Sequence, residues 1–381
     1  MDLQATRLTR AIIHLDHLTH NLRLLQEQVG DRPLWPVVKA DAYGHGAQLV
    51  APHLLALGYD TLGVADAAEA LALIEAGVRA TFVILSATLP EHSEALVAHG
   101  CEPVVCTRGM LEALAREARR MGRRVALHLK VDTGMGRVGI RPEEVPAFLE
   151  HSRSFPELRV RGLMSHFPRA DEADKAYSLE QIERFRRVAE ATRGYDIEVR
   201  HMANSAAILD LPDSHFDTVR PGIALYGLRP SWEIANPRVE ELKPVLEWQS
   251  RITFLKEVPA GTGLSYGHAF HTRQPSLIAT LPIGYGDGLS RNLSNNLDVL
   301  VGGRRCPQVG RITMDMSLVD VTALRGEVGL GDEAVVIGRQ GGEEITADEL
   351  ARKLGTINYE IVTCIARRVP RVAVYAPTAS P

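Results

Sequence analysis

The stretch Leu34-Trp-Pro-Val-Val-Lys39-Ala-Asp-Ala-Tyr43-Gly-His-Gly46 carries the first signal of the fold. Residues 34–38 form a short apolar run with β-branched side chains, the pattern of a buried strand. Lys39 follows at once, where burying an unpaired charge is costly. Gly44-His-Gly46 then interrupts the run before a helical pattern begins at Ala47. A lysine at the end of a buried strand has two readings. It snorkels to the surface or pairs with a carboxylate such as Asp41, or it is a partly desolvated amine of lowered pKa, able to form a Schiff base. Alone, the stretch favours the first.

Working outward, apolar runs of strand length recur at 34–39, 61–65, 82–86, 103–106, 125–131, 160–166, 197–203 and 217–225. A helical pattern at 18–29 precedes the first run, and others lie between most of the runs, at 47–57, 67–76, 93–99, 110–121, 142–150 and 178–193; the link 205–212 is at best one or two turns. Eight such runs in alternation predict an α/β fold, a (β/α)8 barrel, with a doubly wound sheet as the runner-up. A barrel places its chemistry at the C-terminal strand ends. Those ends carry Lys39, Asp132-Thr-Gly-Met-Gly-Arg137, Ser165-His166, Asn204-Ser205 and Arg220-Pro-Gly-Ile223. Polar and ionisable groups thus converge on one mouth.

Beyond about Pro230 the texture changes to short β-branched runs separated by turn glycines, which predicts a predominantly β domain. The boundaries expected are 10–235 for the barrel, and 236–381 with residues 1–9 for the β-rich domain, which the N-terminal segment joins. Thr346-Ala-Asp-Glu349 reads as a capping box shifted by a residue, before a helix that runs to Leu354. Residues 376–381 read as a frayed tail.

Hydrophobic content of 45%, charged content of 24% and a net charge of −4 are ordinary for a globular protein and give no reason to expect nucleic acid or an anionic membrane. No apolar run approaches the length of a membrane span or a signal core, so a cytoplasmic chain is expected. Cys101, Cys106, Cys306 and Cys364 show no CxxC spacing, and Cys101 and Cys106 read as buried thiols. No zinc spacing, P-loop or dinucleotide fingerprint is present, so no metal is expected.

Each candidate has a bland reading. Arg220 pairs with Asp217, or it joins the Gly222 and Ile223 N–H groups in cradling a phosphate. Ser205 is an ordinary N-cap or an added hydroxyl ligand. His166 is a satisfied core histidine. The glycines around Arg137 serve a tight turn or a close ligand approach. Gly263-Leu-Ser-Tyr266-Gly and Gly310-Arg-Ile-Thr-Met314-Asp315 read as hairpin turns unless a site uses them.

Together, Val37–Gly46, Lys130-Val-Asp-Thr-Gly-Met-Gly-Arg-Val-Gly139, His201-Met-Ala-Asn-Ser205, Arg220-Pro-Gly-Ile223, Gly263-Leu-Ser-Tyr-Gly267, Gly284-Tyr-Gly-Asp-Gly288 and Asn358-Tyr-Glu360 resemble the alanine racemase family, in its order and across nearly the whole chain. The resemblance implies a barrel that binds pyridoxal 5'-phosphate, followed by a β domain, in a head-to-tail homodimer with shared active sites. It implies an isomerase that interconverts L- and D-alanine by a two-base mechanism and supplies D-alanine for peptidoglycan. Lys39 then forms the Schiff base with the cofactor, and Tyr266 of the second copy is the other acid/base. Tyr43, Ser205, Gly222, Ile223 and Tyr359 hold the phosphate, with Asn204 beside them. Arg137 partners the phenolic oxygen, His166 packs on the pyridine ring and Arg220 faces its nitrogen. Arg137 and the Met314 backbone contact the substrate carboxylate. Tyr285, Arg291, Arg311, Asp315 and Ile357 line the entrance, and Lys130 matches a lysine that is often carbamylated.

Two positions depart from the family pattern: Thr313 stands where cysteine is common, and Asn358 where proline is common and its loss loosens the gate. A decarboxylase of similar build wants a carboxylate opposite the pyridine nitrogen, which Arg220 is not. A racemase of serine or lysine and a non-catalytic vitamin B6 carrier compete with the alanine reading; the carrier has no use for Tyr266.

Overall fold

Proline decides where the barrel's ladder thins. In the computed structural model, which describes residues 6–375, six parallel strands are continuous: Thr61–Val64, Thr81–Ile84, Glu102–Val105, Val125–Lys130, Leu158–Met164 and Val199–His201. The first and eighth runs contribute isolated parallel bridges instead, Leu34 to Val219 and Val37 to Gly63. Pro33, Pro36 and Pro221 have no N–H to give, yet their carbonyls accept from Val219, Gly63 and Val37 at 3.3, 2.9 and 2.9 Å. Asp217 N–H to Arg200 O (3.1 Å) and Arg220 N–H to Ala203 O (3.0 Å) join the seventh run to the eighth. The ring of eight therefore closes, as expected. The eighth run is shorter than the span 217–225, because the chain turns into a 3-10 helix at Ile223–Tyr226.

Helices Ala47–Ala56, Ala67–Glu75, Ser93–His99, Arg108–Met121, Val145–Ser152 and Ala176–Ala191 fill the crossovers, with Ser205–Asp210 short. Their buried faces follow from apolar spacing: Met110, Leu111, Leu114 and Ala118 all lie inward on one helix. Thr107 caps that helix by accepting from Met110 N–H, and Gly122 ends it in the left-handed region. This compact unit spans His17–Lys243 and so begins later than residue 10.

The second unit comprises Met1–Asp16 and Pro244–Pro381. Strand Arg10–His14 belongs here, pairing antiparallel with Leu246–Arg251 and parallel with Arg371–Val374. The sheet continues through Glu333–Gln340, Asp298–Val301, Arg304–Val309, Ser317–Asp320 and Ser276–Leu281 to Phe254–Val258. The β-branched run 250–258 is not one strand: it is shared between two, broken at Ile252-Thr253. Thr346 is the N-cap itself, accepting from Glu349 N–H at 3.0 Å, so the capping signal is in register and not shifted. The tail 376–381 and residues 1–5 lie outside the described residues. Among the described residues no helix is long and apolar enough to cross a membrane.

Candidate active site

Lys39 does not end a strand; it opens a left-handed turn. Ala40, Asp41, Ala42 and Tyr43 have φ of 52, 55, 55 and 52° in succession. A non-glycine residue there costs about 1–2 kcal/mol, so neighbours must hold the turn. Glu69 does so with one oxygen, accepting Ala40 N–H, while its other oxygen accepts Ala65 N–H, at 2.7 Å each. Asp41 does not serve Lys39; its Oδ1 accepts Ala47 N–H at 2.7 Å and starts the next helix. Tyr43 is thereby buried against Tyr226 (ring centroids 5.1 Å apart), whose hydroxyl donates to Val37 O at 2.9 Å.

Half-buried Lys39 lies in a cationic field. Burial, then the charge of Arg137, push its amine down; Glu69 opposes this and Arg220 adds to it. Lys130 is buried and pushed well down, first by burial and then by Arg220 and Arg137. His166 is also pushed well down, by burial and then by the charges of Lys130, Arg220, Arg137 and Lys39, and its buried Nδ1 has no hydrogen-bond partner. Arg220 is 4% exposed and does not pair with Asp217, which accepts from Arg200 instead. Its donors go to His201 Nδ1 (2.7 Å), Ser165 O (2.9 Å) and Met202 O (3.2 Å). Burial pushes this guanidinium down to about 9, so it remains a cation near pH 7. Exposed Arg137 rides a loop that Asp132 organises, accepting from Gly134 and Gly136 N–H. Gly139 has a φ of 135°, and a Cβ there would stand 2.6 Å from Asp132 N, so this glycine serves the turn.

Asn204, not Ser205, caps the helix at 205–210, accepting Ala207 N–H at 3.1 Å. The Ser205 hydroxyl instead accepts from Gly222 N–H (2.9 Å) and Ala224 N–H (3.2 Å), which ties two strand ends together. A Cβ on Gly222 would stand 2.5 Å from the Tyr43 hydroxyl, so only glycine allows that approach. Tyr43, Ser205, Gly222 and Ile223 thus meet at one end of the barrel.

The other candidates lie in the β unit. Tyr266 is 72% exposed on a tight hairpin where Ser265 has a φ of 60° and donates its hydroxyl to Arg311 O at 2.6 Å. Met314, Asp315, Tyr285, Arg291, Arg311 and Ile357 are exposed as well. The Met314 turn is closed by Thr313, whose hydroxyl donates to Met316 O (2.9 Å) and accepts from Met316 N–H (3.1 Å). Behind it, Gly284-Tyr-Gly-Asp-Gly288 proves to be the seat of a buried carboxylate. Asp287 is fully buried and pairs with Arg7 (2.6 Å) and Arg368 (2.9 Å), and Arg368 reaches on to Asp315 (2.8 Å). Asn358 does not leave its helix loose, because its Nδ2 donates to Asp348 at 2.8 Å. Partly exposed Tyr359 follows it.

The alanine racemase N-terminal domain is matched over residues 13–230 and the C-terminal domain over residues 245–373. The chain belongs to the alanine racemase family. A family member from Halothermothrix orenii is 45% identical over 374 residues, covering 97% of this chain and 98% of its own. Among solved structures, the alanine racemase of Clostridium difficile 630 is 36% identical at a TM-score of 0.92, over 97% of each chain. The Bacillus anthracis family member, solved with bound L-Ala-P, is 36% identical at a TM-score of 0.90, over 97% of this chain and 95% of that one. Sequence reasoning reaches the family but misses Glu69 and His128, and it quotes His201 only as part of a motif, because single letters give no sign of what they touch.

Proposed function

We propose that this chain racemises alanine with pyridoxal 5'-phosphate, as a cytoplasmic homodimer that supplies D-alanine for peptidoglycan. The observation that carries the reading is the Lys39 amine, partly withdrawn from water in a fixed turn and depressed by burial and by the arginines around it. The residues fit that cofactor. The basic set of Lys39, Lys130, Arg137 and Arg220 invites an anion, the orphaned Nδ1 of His166 invites a polar neighbour, and Gly222 lets the Tyr43 hydroxyl come up to the backbone where a Cβ would stand 2.5 Å from it. When bound, the cofactor withdraws electrons from Cα and makes its proton removable.

Racemisation removes a proton from one face of Cα and returns one to the other. Lys39 serves one face, and Tyr266 of a second copy serves the other. A phenol is only about 0.1% ionised at pH 7 unless positive charge stands near, a service that falls to Arg220, because burial and the surrounding cations push the His166 imidazole away from its charged form. Tyr43, Ser205, Gly222, Ile223 and Tyr359, with Asn204 fixing the helix start, hold the phosphate. Arg220 remains charged and keeps the pyridine nitrogen unprotonated, which weakens the electron sink and limits side reactions. Arg137 and the Met314 N–H orient the substrate carboxylate, and Tyr285, Arg291, Arg311, Asp315 and Ile357 line its approach. Burial and the charges of Arg220 and Arg137 push the Lys130 amine toward the neutral form that carbon dioxide adds to, and a carbamate there would offset the arginine charge; intact mass under mild conditions reports it.

The test is borohydride reduction of the cofactor-loaded protein followed by peptide mapping. Label on Lys39 is expected, and label on another lysine overturns the assignment. Incubation of each L-amino acid in deuterated water, read by circular dichroism and mass, shows which substrate racemises with exchange at Cα. Serine turning over while alanine does not would select the serine racemase reading.

A further inference from the structure

Behind Arg220 a polar chain runs through the barrel interior, and the proposed reaction leaves most of it without a task. Beyond the Arg220–His201 contact, His201 Nε2 lies 3.0 Å from His128 Nδ1, and His128 Nε2 lies 2.9 Å from Glu102 Oε2. Arg161 Nη1 closes the far end, donating to Glu102 Oε1 and Oε2 at 2.8 and 2.7 Å. Both imidazoles are fully buried, and Trp35 stands edge-on at 5.0 Å from His201 and 5.7 Å from His128. Room for the chain comes from Gly162, where a Cβ would stand 2.2 Å from His128 Nδ1. Arg220 and His201 sit at strand ends, whereas Glu102 begins its strand, so the chain extends from the mouth toward the opposite end of the barrel. Barrel interiors are mostly filled with branched apolar residues. A buried polar chain is tolerable there only when every member is satisfied.

Its direction follows from the two ends. A guanidinium only donates and an ionised carboxylate only accepts. Arg220 therefore requires a lone pair on His201 Nδ1, which puts the His201 proton on Nε2. That proton requires a lone pair on His128 Nδ1, which puts the His128 proton on Nε2, facing Glu102. Both rings are neutral and share one tautomer. Either a second proton or a reversed ring would set N–H against N–H.

We propose that His128 and Glu102 are positioning residues for the racemase reaction, fixing the tautomer of His201 so that its Nδ1 lone pair holds Arg220 in its aim. This rests on the reading of Arg220 as the partner of the pyridine nitrogen. The proposal explains how a buried guanidinium whose hydrogen-bond acceptors are all neutral is held in place: the lone pair it uses is fixed by a carboxylate two imidazoles away, itself paired with Arg161.

Two measurements test it. In the cofactor-loaded enzyme with 15N-histidine, NMR should show His128 and His201 both neutral with the proton on Nε2 from pH 6 to 9. A proton on His201 Nδ1 overturns the proposal whatever Arg220 does. The second measurement counts pyruvate formed per racemisation, which rises when Arg220 loses its aim. His128→Leu should raise that ratio about tenfold, the scale on which outer hydrogen bonds act on a site. His128→Gln, which can turn its oxygen to His201 and its amide N–H to Glu102, should return the ratio to within about twofold of the starting enzyme. If Arg220→Ala raises the ratio and His128→Leu leaves it unchanged, the positioning role is wrong. If Arg220→Ala leaves it unchanged, the reading of Arg220 itself fails, and the tautomers alone decide whether His128 orders His201. The NMR measurement needs no variant, so misfolding of His128→Leu cannot shield the proposal.

Discussion

The barrel unit and the β unit treat buried charge in opposite ways. In the β unit, Asp287 is fully buried but answered at once by two arginines. In the barrel unit, Lys130 and Arg220 are both buried, the charge of Arg220 adds to the burial that depresses Lys130, and the hydrogen-bond acceptors of Arg220 are an imidazole and two carbonyls. Charge neutralised on the spot belongs to the scaffold. Charge gathered with a single sign is expensive to fold and marks a place built for a ligand of the other sign. The two units differ in exposure as well: the barrel's candidates are largely withdrawn from water, and those of the β unit stand in it.

The strongest way to break this contrast is at the two proposed acid/base groups. Lys39→Ala should lower alanine racemisation by at least about 10^4-fold, because it removes both the covalent attachment and one proton carrier; the readout is circular dichroism of L-alanine conversion. Tyr266→Phe should cost about 10^2–10^4-fold in rate, the usual worth of a positioned acid or base. Its cofactor absorbance should match that of the parent. Loss of cofactor in Tyr266→Phe would contradict the division of labour between the units.

Asp287→Asn leaves two arginines facing an amide. It should lower the stability of the β unit by about 2 kcal/mol in urea denaturation, less than for a fully buried pair because both arginines are about one-third exposed. Cofactor capture by the barrel unit should be unaffected.

The pH dependence follows from the direction of the Lys39 shift. The neutral amine is the nucleophile, and a lowered pKa means that it is neutral at lower pH than an ordinary lysine. Borohydride-trapped capture of pyridoxal 5'-phosphate should reach half its plateau below pH 10.5. Glu69 opposes that depression, so Glu69→Gln should move the half-point lower still. The same change removes one charge-assisted acceptor from the turn and should cost about 1–2 kcal/mol of stability. A half-point that rises in Glu69→Gln would show that the turn, not the charge, sets the amine's behaviour.

The sequence carried the barrel because eight apolar runs at regular spacing leave few other architectures, and it carried the β unit because turn glycines punctuate it. It carried Lys39, Arg220 and Tyr266 through the resemblance. What it could not carry was anything set by partners distant in sequence. Asp217 lies three residues from Arg220, which made a pairing plausible, but the ladder turns it toward Arg200. Asn204 and Ser205 are both good caps, and only the approach of Gly222 N–H decides which hydroxyl or amide does what. Asp287 hid in a glycine-rich turn because Arg7 and Arg368 are 280 and 81 residues away. His128 sits within an apolar run, and its tether to Glu102 spans 26 residues.

The run from Ala40 to Tyr43 has one more consequence, for the order of events in folding. A right-handed helix can start from its own residues, but four successive left-handed residues are opposed by local preference. This turn gains its side-chain acceptor from Glu69, three elements further on, whose other oxygen is tied to Ala65 N–H. A φ-value measurement is expected to find it a low-φ segment, native only after the barrel around it has closed. The reactive amine is therefore among the last features to be assembled. An unfinished chain is then expected to carry an ordinary Lys39 that captures aldehydes no faster than any other lysine, and the reactive amine appears with the fold.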